Sequence, residues 1–265
     1  MAAAARGLVE RGLLLFSALA SFFVLLLVLP LVALYAGVKP GVLGAMLSSP
    51  EMREEILGGF RVALLASLIA VGILLALGVP TAYVLARYDF PGKRVVEGVI
   101  DIPLALPHVV AGVMLLEAYG SWGLAGPLLR RVGLVIEDHL AGVVAVMAFV
   151  SAPLLVDTVK VGFQSIPESL SAVARTLGAS RLRAFRDIEL PLAARSIAAG
   201  SLLAWARGLS EVGALLVVAY YPKTVNILIL EYLSIYGLPY AVTLAAVYAT
   251  LTLGIFAALR VVTRS

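Results

Sequence analysis

Long apolar runs, broken at intervals by short stretches that carry the charges, recur along the whole chain. A helix needs roughly 20 apolar residues to cross the hydrocarbon core of a bilayer. Six stretches approach or exceed that length, near residues 13–36, 60–86, 96–119, 140–160, 193–221 and 238–261. The pattern predicts an all-α membrane protein with six transmembrane helices. Residues 1–57 are read as an N-terminal helix with its outer loop, and 58–262 as the main membrane domain, because no polar block between them is long enough to fold alone. The first apolar run, Leu13 to Tyr35, exceeds the roughly 7–15 residues of a signal-peptide core and is expected to remain as an anchor.

Charge changes this picture by giving it an orientation. Arg6, Arg11, Arg87, Lys93, Arg94, Lys160, Arg175, Arg181, Arg183, Arg186, Arg195, Arg260 and Arg264 fall on one side of the six spans. Only Lys39, Arg53, Arg61, Arg130, Arg131 and Lys223 fall on the other. By the positive-inside rule the first side is cytosolic, so both termini are expected in the cytosol of a multi-pass cell-membrane protein. Composition agrees: 62% of residues are hydrophobic and 14% charged, with a mean hydropathy of +1.05, whereas soluble domains carry about 25% charged residues. The net charge of +4 sits in loops beside apolar spans, which argues against nucleic acid as a partner. With no cysteine, and with His108 and His139 far apart, the sequence offers no disulfide, no thiolate and no metal constellation, and no cofactor is expected.

Proline and small residues suggest how the spans meet. Pro80, Pro103, Pro107 and Pro153 free carbonyls inside apolar runs and are expected to kink them. Ala198, Ala199, Gly200, Ser201 and Ala204 allow a neighbouring backbone to approach closely.

The longest cytosolic loop, 164–191, reads as two short helices. Ser165 and Glu168 have the spacing of a capping box, with Pro167 tolerable in the first turn. Leu170, Val173, Ala174 and Leu177 then line one face, and Gly178 is a natural stop. Ser180 is placed to cap a second helix, Arg181 to Glu189, whose Leu182, Phe185 and Ile188 are expected to face the membrane domain. Such an amphipathic helix suits docking into a partner, and it equally suits lying on lipid headgroups; periodicity does not choose.

Within this loop Ala172-Val173-Ala174, then Gly178, then Ile188-Glu189-Leu190-Pro191 resemble the EAA loop of ABC importer permeases, in which EAA, three residues, Gly, nine residues and I-x-L-P recur. The spacing matches throughout; Ala172 stands where that pattern has Glu, and Val173 where it has Ala. The resemblance implies a type I permease working as a pair, with a short coupling helix between the fourth and fifth spans. It implies that Ala172, Val173, Ala174, Arg175, Thr176, Leu177, Gly178 and Ala179 dock into a cytosolic ABC ATPase dimer, and that an external binding protein delivers substrate. The chain itself is not expected to hydrolyse ATP, since it has no G-x-x-x-x-G-K-[ST] phosphate loop.

Further stretches narrow the family. Ala86-Arg87 before Phe90-Pro91-Gly92-Lys93, Asp101-Ile102-Pro103-Leu104 before Leu106-Pro107-His108, and Trp205-Ala206-Arg207-Gly208-Leu209-Ser210-Glu211 are similar to molybdate and tungstate permeases, with sulfate and thiosulfate permeases close behind. Arg207, Ser210 and Glu211 are the candidate residues of an oxyanion pathway. A charge at the centre of a span costs roughly 2.5–3.5 kcal/mol on insertion scales, so Arg207 is expected to face the protein interior. It either meets the anion or pairs with Glu211 one turn later, and Ser210 either donates to substrate or bonds back to its own helix. Asp101 and His108 either gate or orient the pathway, or Asp101 lies at the cytosolic interface and His108 satisfies a carbonyl freed by Pro107 or by a neighbouring kink, and Asp157 is close enough in sequence to pair with Lys160. An ion-coupled secondary transporter is the competing class, with Glu211 as its strongest candidate acid.

Overall fold

A computed structural model describes residues 2–264, with side chains described for 13–261. Arg6, Arg11 and Arg264, which entered the charge count above, lie outside the described side chains. Regular structure among the described residues is helical: α1 (Ala2–Ala36), α2 (Pro40–Ser48), α3 (Pro50–Arg87), α4 (Lys93–Ala105), α5 (His108–Tyr119), α6 (Gly126–Arg131), α7 (Leu140–Gln164), α8 (Glu168–Thr176) and α9 (Arg181–Ala184). A π-helical turn (Phe185–Glu189) follows, then α10 (Leu190–Leu192), α11 (Ala194–Leu209), α12 (Leu215–Val218), α13 (Val225–Ile235) and α14 (Leu238–Arg264).

Four stretches are long and apolar enough to cross a bilayer: Leu13–Ala36, Pro50–Arg87, Leu140–Gln164 and Leu238–Val261. The third and fifth expected spans are broken instead. Pro107 lacks an N–H, and the residue before a proline is pushed out of the helical region; Leu106 is accordingly extended (φ −84°, ψ 140°), so 96–119 becomes α4 and α5. The stretch 193–221 becomes α11 and α12, separated by Ser210–Ala214. At about 1.5 Å per residue, no single piece spans roughly 30 Å. The kink expected at Pro107 is thus a full interruption, and the break at Ser210–Ala214 was not expected.

The chain falls into two units, residues 1–50 with 229–249, and 51–228 with 250–265. In the first, a Cβ at Gly37 would lie 3.1 Å from Val242, and the Tyr236 ring stacks between Tyr232 and Tyr240 with centroids 5.2 Å away on each side.

The second unit holds the core. There α3 buries Ala63, Ala66, Ala70 and Leu74 at helical spacing and leaves Leu65, Leu68 and Leu77 exposed, the inverse of a soluble helix and the pattern expected beside lipid. One buried cluster joins Ala66, Ala111, Leu115, Val146, Met147 and Leu215. A second joins Leu85, Val156, Val159, Phe163 and Ala193 toward the basic end of α7. Between α7 and α11 the contact is set by small residues one turn apart, Ser196, Gly200, Ala204 and Gly208. A Cβ at Gly162 would come 2.3 Å from that of Ser196, so no larger residue fits without separating the helices.

Candidate functional site

The end of α11 carries the charged cluster. Arg207 Nη1 donates to Glu211 Oε2 at 3.0 Å, and Glu211 is wholly buried. His108, the first residue of α5, meets the same Oε2 with its Nδ1 at 2.6 Å. Arg207 Nη2 lies 3.3 and 3.4 Å from the two ring nitrogens of His108. The other carboxylate oxygen accepts the Ala214 N–H at 2.9 Å and so anchors the start of α12. Both helix interruptions are therefore tied to one carboxylate. The pairing that the i, i+4 spacing allowed is the observed one, and His108 bonds Glu211 rather than a freed carbonyl.

Backbone groups released by the break are satisfied locally. Asn226 Nδ2 donates to the carbonyls of Leu209 at 2.6 Å and Glu211 at 3.1 Å. Ser210 Oγ donates to Arg207 O at 2.9 Å, the bond back to its own helix. Close approach of α5 and α12 requires Gly112, where a Cβ would lie 2.9 Å from Ala214 O, and Gly213, where it would lie 2.6 Å from the His108 Cβ. Asn226 was not legible as part of this site. Its only signal is an amide in an apolar run.

Charge balance follows. A buried carboxylate is tolerated when paired and fully bonded. With neutral imidazole the cluster sums to zero, and it exposes the His108 side chain, 51% accessible, and the partly exposed edge of Arg207, 20%. Elsewhere Lys160 bridges Asp157 at 3.0 Å and Glu97 at 3.3 Å, so the expected Asp157–Lys160 pair forms and also ties α7 to α4. Asp101 lies on α4, one turn after Glu97. Among the described residues no group of His, Asp or Glu is arranged to hold a metal ion.

The loop 164–191 forms its two short helices with altered ends. Pro167, not Ser165, precedes α8, and no side chain caps it; Ser165 Oγ donates instead to Gly162 O at 2.7 Å. The capping box therefore does not form. At the other end Gly178 adopts φ +93°, favoured for glycine alone, while Ala179 N–H reaches Ala174 O at 3.0 Å in a Schellman-type closure. Ser180 Oγ caps α9 by accepting the Arg183 N–H, as its position suggested.

No residue of α8 is buried. Val173 and Leu177, on its apolar face, are 57% and 83% exposed. Leu182 also departs from expectation: it is exposed, whereas Phe185 packs against the core. Beside it the hydrogen bond from Arg186 holds the Asp187 carboxyl below its usual range. In the loop between α6 and α7 burial pushes Glu137 up, but hydrogen bonds led by that from the Ser121 backbone N–H outweigh it and leave the group lowered.

Behind α8 lies a buried pair that the sequence did not mark as a site. Arg87, read as a topology signal and as part of a family stretch, closes on Glu189 at 2.7 Å where α3 ends.

Four helices long and apolar enough to cross a bilayer, with a buried charged cluster at two helix breaks, mark a multi-pass membrane protein. The chain belongs to the family of binding-protein-dependent transport system inner membrane components, whose model matches residues 75–265. It is 44% identical to the molybdate/tungstate transport system permease protein WtpB of Thermococcus kodakarensis, over 95% of this chain and 96% of that one. It is 34% identical to a probable sulfate transport system permease protein, cysT, of Chlorokybus atmophyticus, over 73% of this chain and 69% of that one. The fold matches the crystal structure of a bacterial ABC transporter involved in import of the acidic polysaccharide alginate, with a TM-score of 0.73 over 96% of each chain at 17% identity.

Proposed function

We propose that the chain is the permease subunit of an ATP-driven importer that passes an oxyanion, molybdate or tungstate, into the cytosol. One observation carries the mechanism: α8 presents an uncovered apolar face, Val173 and Leu177, beside Arg175 and ends in a rigid glycine turn. An apolar face of this kind beside basic residues suits a groove on a partner, and the family supports a cytosolic ABC ATPase as that partner. Docking uses Ala172 through Ala179. Two copies of the chain, six crossings each with α4–α5 and α11–α12 as broken ones, both termini cytosolic, and an external binding protein complete the assembly.

The substrate class rests on the relatives. Identity is 44% with the molybdate/tungstate permease and 34% with the sulfate permease. Arg207, Ser210 and Glu211 stand at the pathway's break, where Glu211 neutralises Arg207. An anion therefore meets a weak field and a polar edge rather than a fixed unpaired cation, as rapid passage requires. The ion-coupled alternative fits less well, because Glu211 is already engaged by Arg207, His108 and the Ala214 N–H, and taking up a proton would cost it the ion pair with Arg207.

The test is ATP hydrolysis by the chain in liposomes with its ATPase and binding protein, stimulated in turn by molybdate, tungstate, sulfate and phosphate. Stimulation by molybdate or tungstate alone is expected. Stimulation by sulfate or phosphate instead would overturn the substrate, and uptake that persists without ATP would overturn the mechanism.

A further inference from the structure

We infer that Glu189 and Arg87 are positioning residues that form a joint through which movement of α8 reaches the membrane helices, an inference that rests on the permease reading above. The two side chains are only 4% and 8% exposed. A buried ion pair is costly unless its remaining valences are filled, and here they are filled by different elements. Glu189, closing the π turn, accepts from Arg87 Nε of α3 at 2.7 Å, from Ser171 Oγ of α8 and, at the limit of hydrogen bonding, from Tyr83 OH at 3.5 Å. Arg87 Nη2 donates to Ile166 O, just past the end of α7, at 3.0 Å. Arg87 Nη1 also lies 3.9 Å from Glu168 at the start of α8.

Four elements thus converge on one carboxylate and one guanidinium. The π turn contributes the placement: its wider pitch brings Phe185 and Glu189 toward α3 together, and Phe185 packs on the Tyr83 ring at 4.5 Å. π turns recur at functional sites because they re-aim side chains in this way. Position 172 is alanine, so within Ala172-Val173-Ala174 no carboxylate competes for Arg87.

What makes the joint consequential is that α8 has no buried side chain of its own to anchor it. A crevice of about 360 Å³, lined by Tyr83, Arg87, Ser171, Arg175 and Glu189, separates part of the helix from the bundle. An apolar contact would let α8 slide over its support. Directional bonds from Ser171 and Arg87 to the same carboxylate instead make a displacement of α8 pull on α3 and on the π turn that leads into α11.

The experiment uses the full complex in liposomes, with Glu189→Gln, Arg87→Lys and Ser171→Ala, and reads three quantities: capture of the ATPase by the permease, basal ATP hydrolysis, and molybdate imported per ATP hydrolysed. Glu189→Gln and Arg87→Lys are expected to capture the ATPase and to retain basal hydrolysis while import per ATP falls at least about tenfold, the scale of one charged hydrogen bond. Ser171→Ala, which cuts only the leg to α8, is expected to lower import per ATP about twofold or more, and Ser171→Thr to restore it. Unchanged import per ATP in Ser171→Ala and Glu189→Gln overturns the joint. So does a loss in all three variants that matches loss of folded protein or of ATPase capture. If Glu189→Gln does not fold, Ser171→Ala decides. A wild-type chain that captures no ATPase overturns the permease reading and the joint with it.

Discussion

Replacing Glu211 and Arg207 together should cost the protein less than the two single replacements added. The pair is bonded at 3.0 Å, with Glu211 wholly buried and Arg207 one-fifth exposed. Unit charges about 4 Å apart interact by about 4 kcal/mol at an effective dielectric constant near 20. Removing one partner forfeits that and leaves the other charge uncompensated, a loss of roughly 3–5 kcal/mol for a buried pair. Glu211→Met also strips His108 and the Ala214 N–H of an acceptor, so it is expected to be the worse single change. The double variant Arg207→Met/Glu211→Met removes both charges, and should cost roughly 2–4 kcal/mol less than the sum of the singles. Unfolding in mild detergent by added dodecyl sulfate, followed by tryptophan fluorescence, reads this cycle, because Trp205 is buried on the same helix one turn before Leu209. Additivity within about 0.5 kcal/mol would refute the pairing argument, since independent sites add to that accuracy.

Three further outcomes follow from the geometry. Gly162→Ala should destabilise by about 1–3 kcal/mol through overpacking against Ser196, and Ser196→Gly in the same chain should recover most of it in the same unfolding assay. Gly178→Ala, at φ +93°, should cost about 1–2 kcal/mol of local backbone strain, read as weaker ATPase capture with unchanged folding of the membrane core. Glu137 has a lowered pKa in the folded loop, so its contribution is present above the unfolded carboxyl's pKa and lost as pH falls through the folded value. Acidification should therefore open the segment around Ser121 to proteolysis, and Glu137→Gln should flatten that dependence.

Period and length made the four long apolar helices legible in the sequence, because lipid demands internally bonded backbone and continuous apolar surface. The interruptions were only half legible. Pro107 announced a disturbance, but nothing local marked the break at Ser210–Ala214, whose freed carbonyls at Leu209 and Glu211 are met by Asn226, 17 and 15 residues further on. The Arg207–Glu211 contact followed from i, i+4 spacing; the arrival of His108 required tertiary structure. In the loop 164–191 the capping residue Ser180 was read correctly because its partner is local. Ser165 was not, because Gly162 O, one turn back, is an equally local acceptor. Glu189 and Arg87 were invisible as a pair, being 102 residues apart.

The two buried carboxylates also bracket a mechanical element. From Leu190 to Leu209 the chain runs 20 residues through α10 and α11, about 30 Å at helical rise, close to the thickness of the hydrocarbon core. Glu189 fixes its basic end to α3 and α8, and Glu211 fixes the start of α12 to α5 at the other. Between them the ridge of Ser196, Gly200, Ala204 and Gly208 holds α11 against α7, so the two helices are built to move as one body. A shift at α8 enters this body at the Glu189 joint, and the breaks in helical continuity at Ser210–Ala214 and Leu106-Pro107 are places where it can be absorbed. The charged cluster of Arg207, His108 and Glu211 stands at those breaks. Deformation is thereby concentrated at the cluster of Arg207, His108 and Glu211, while the apolar packing that holds the bundle together is left undisturbed.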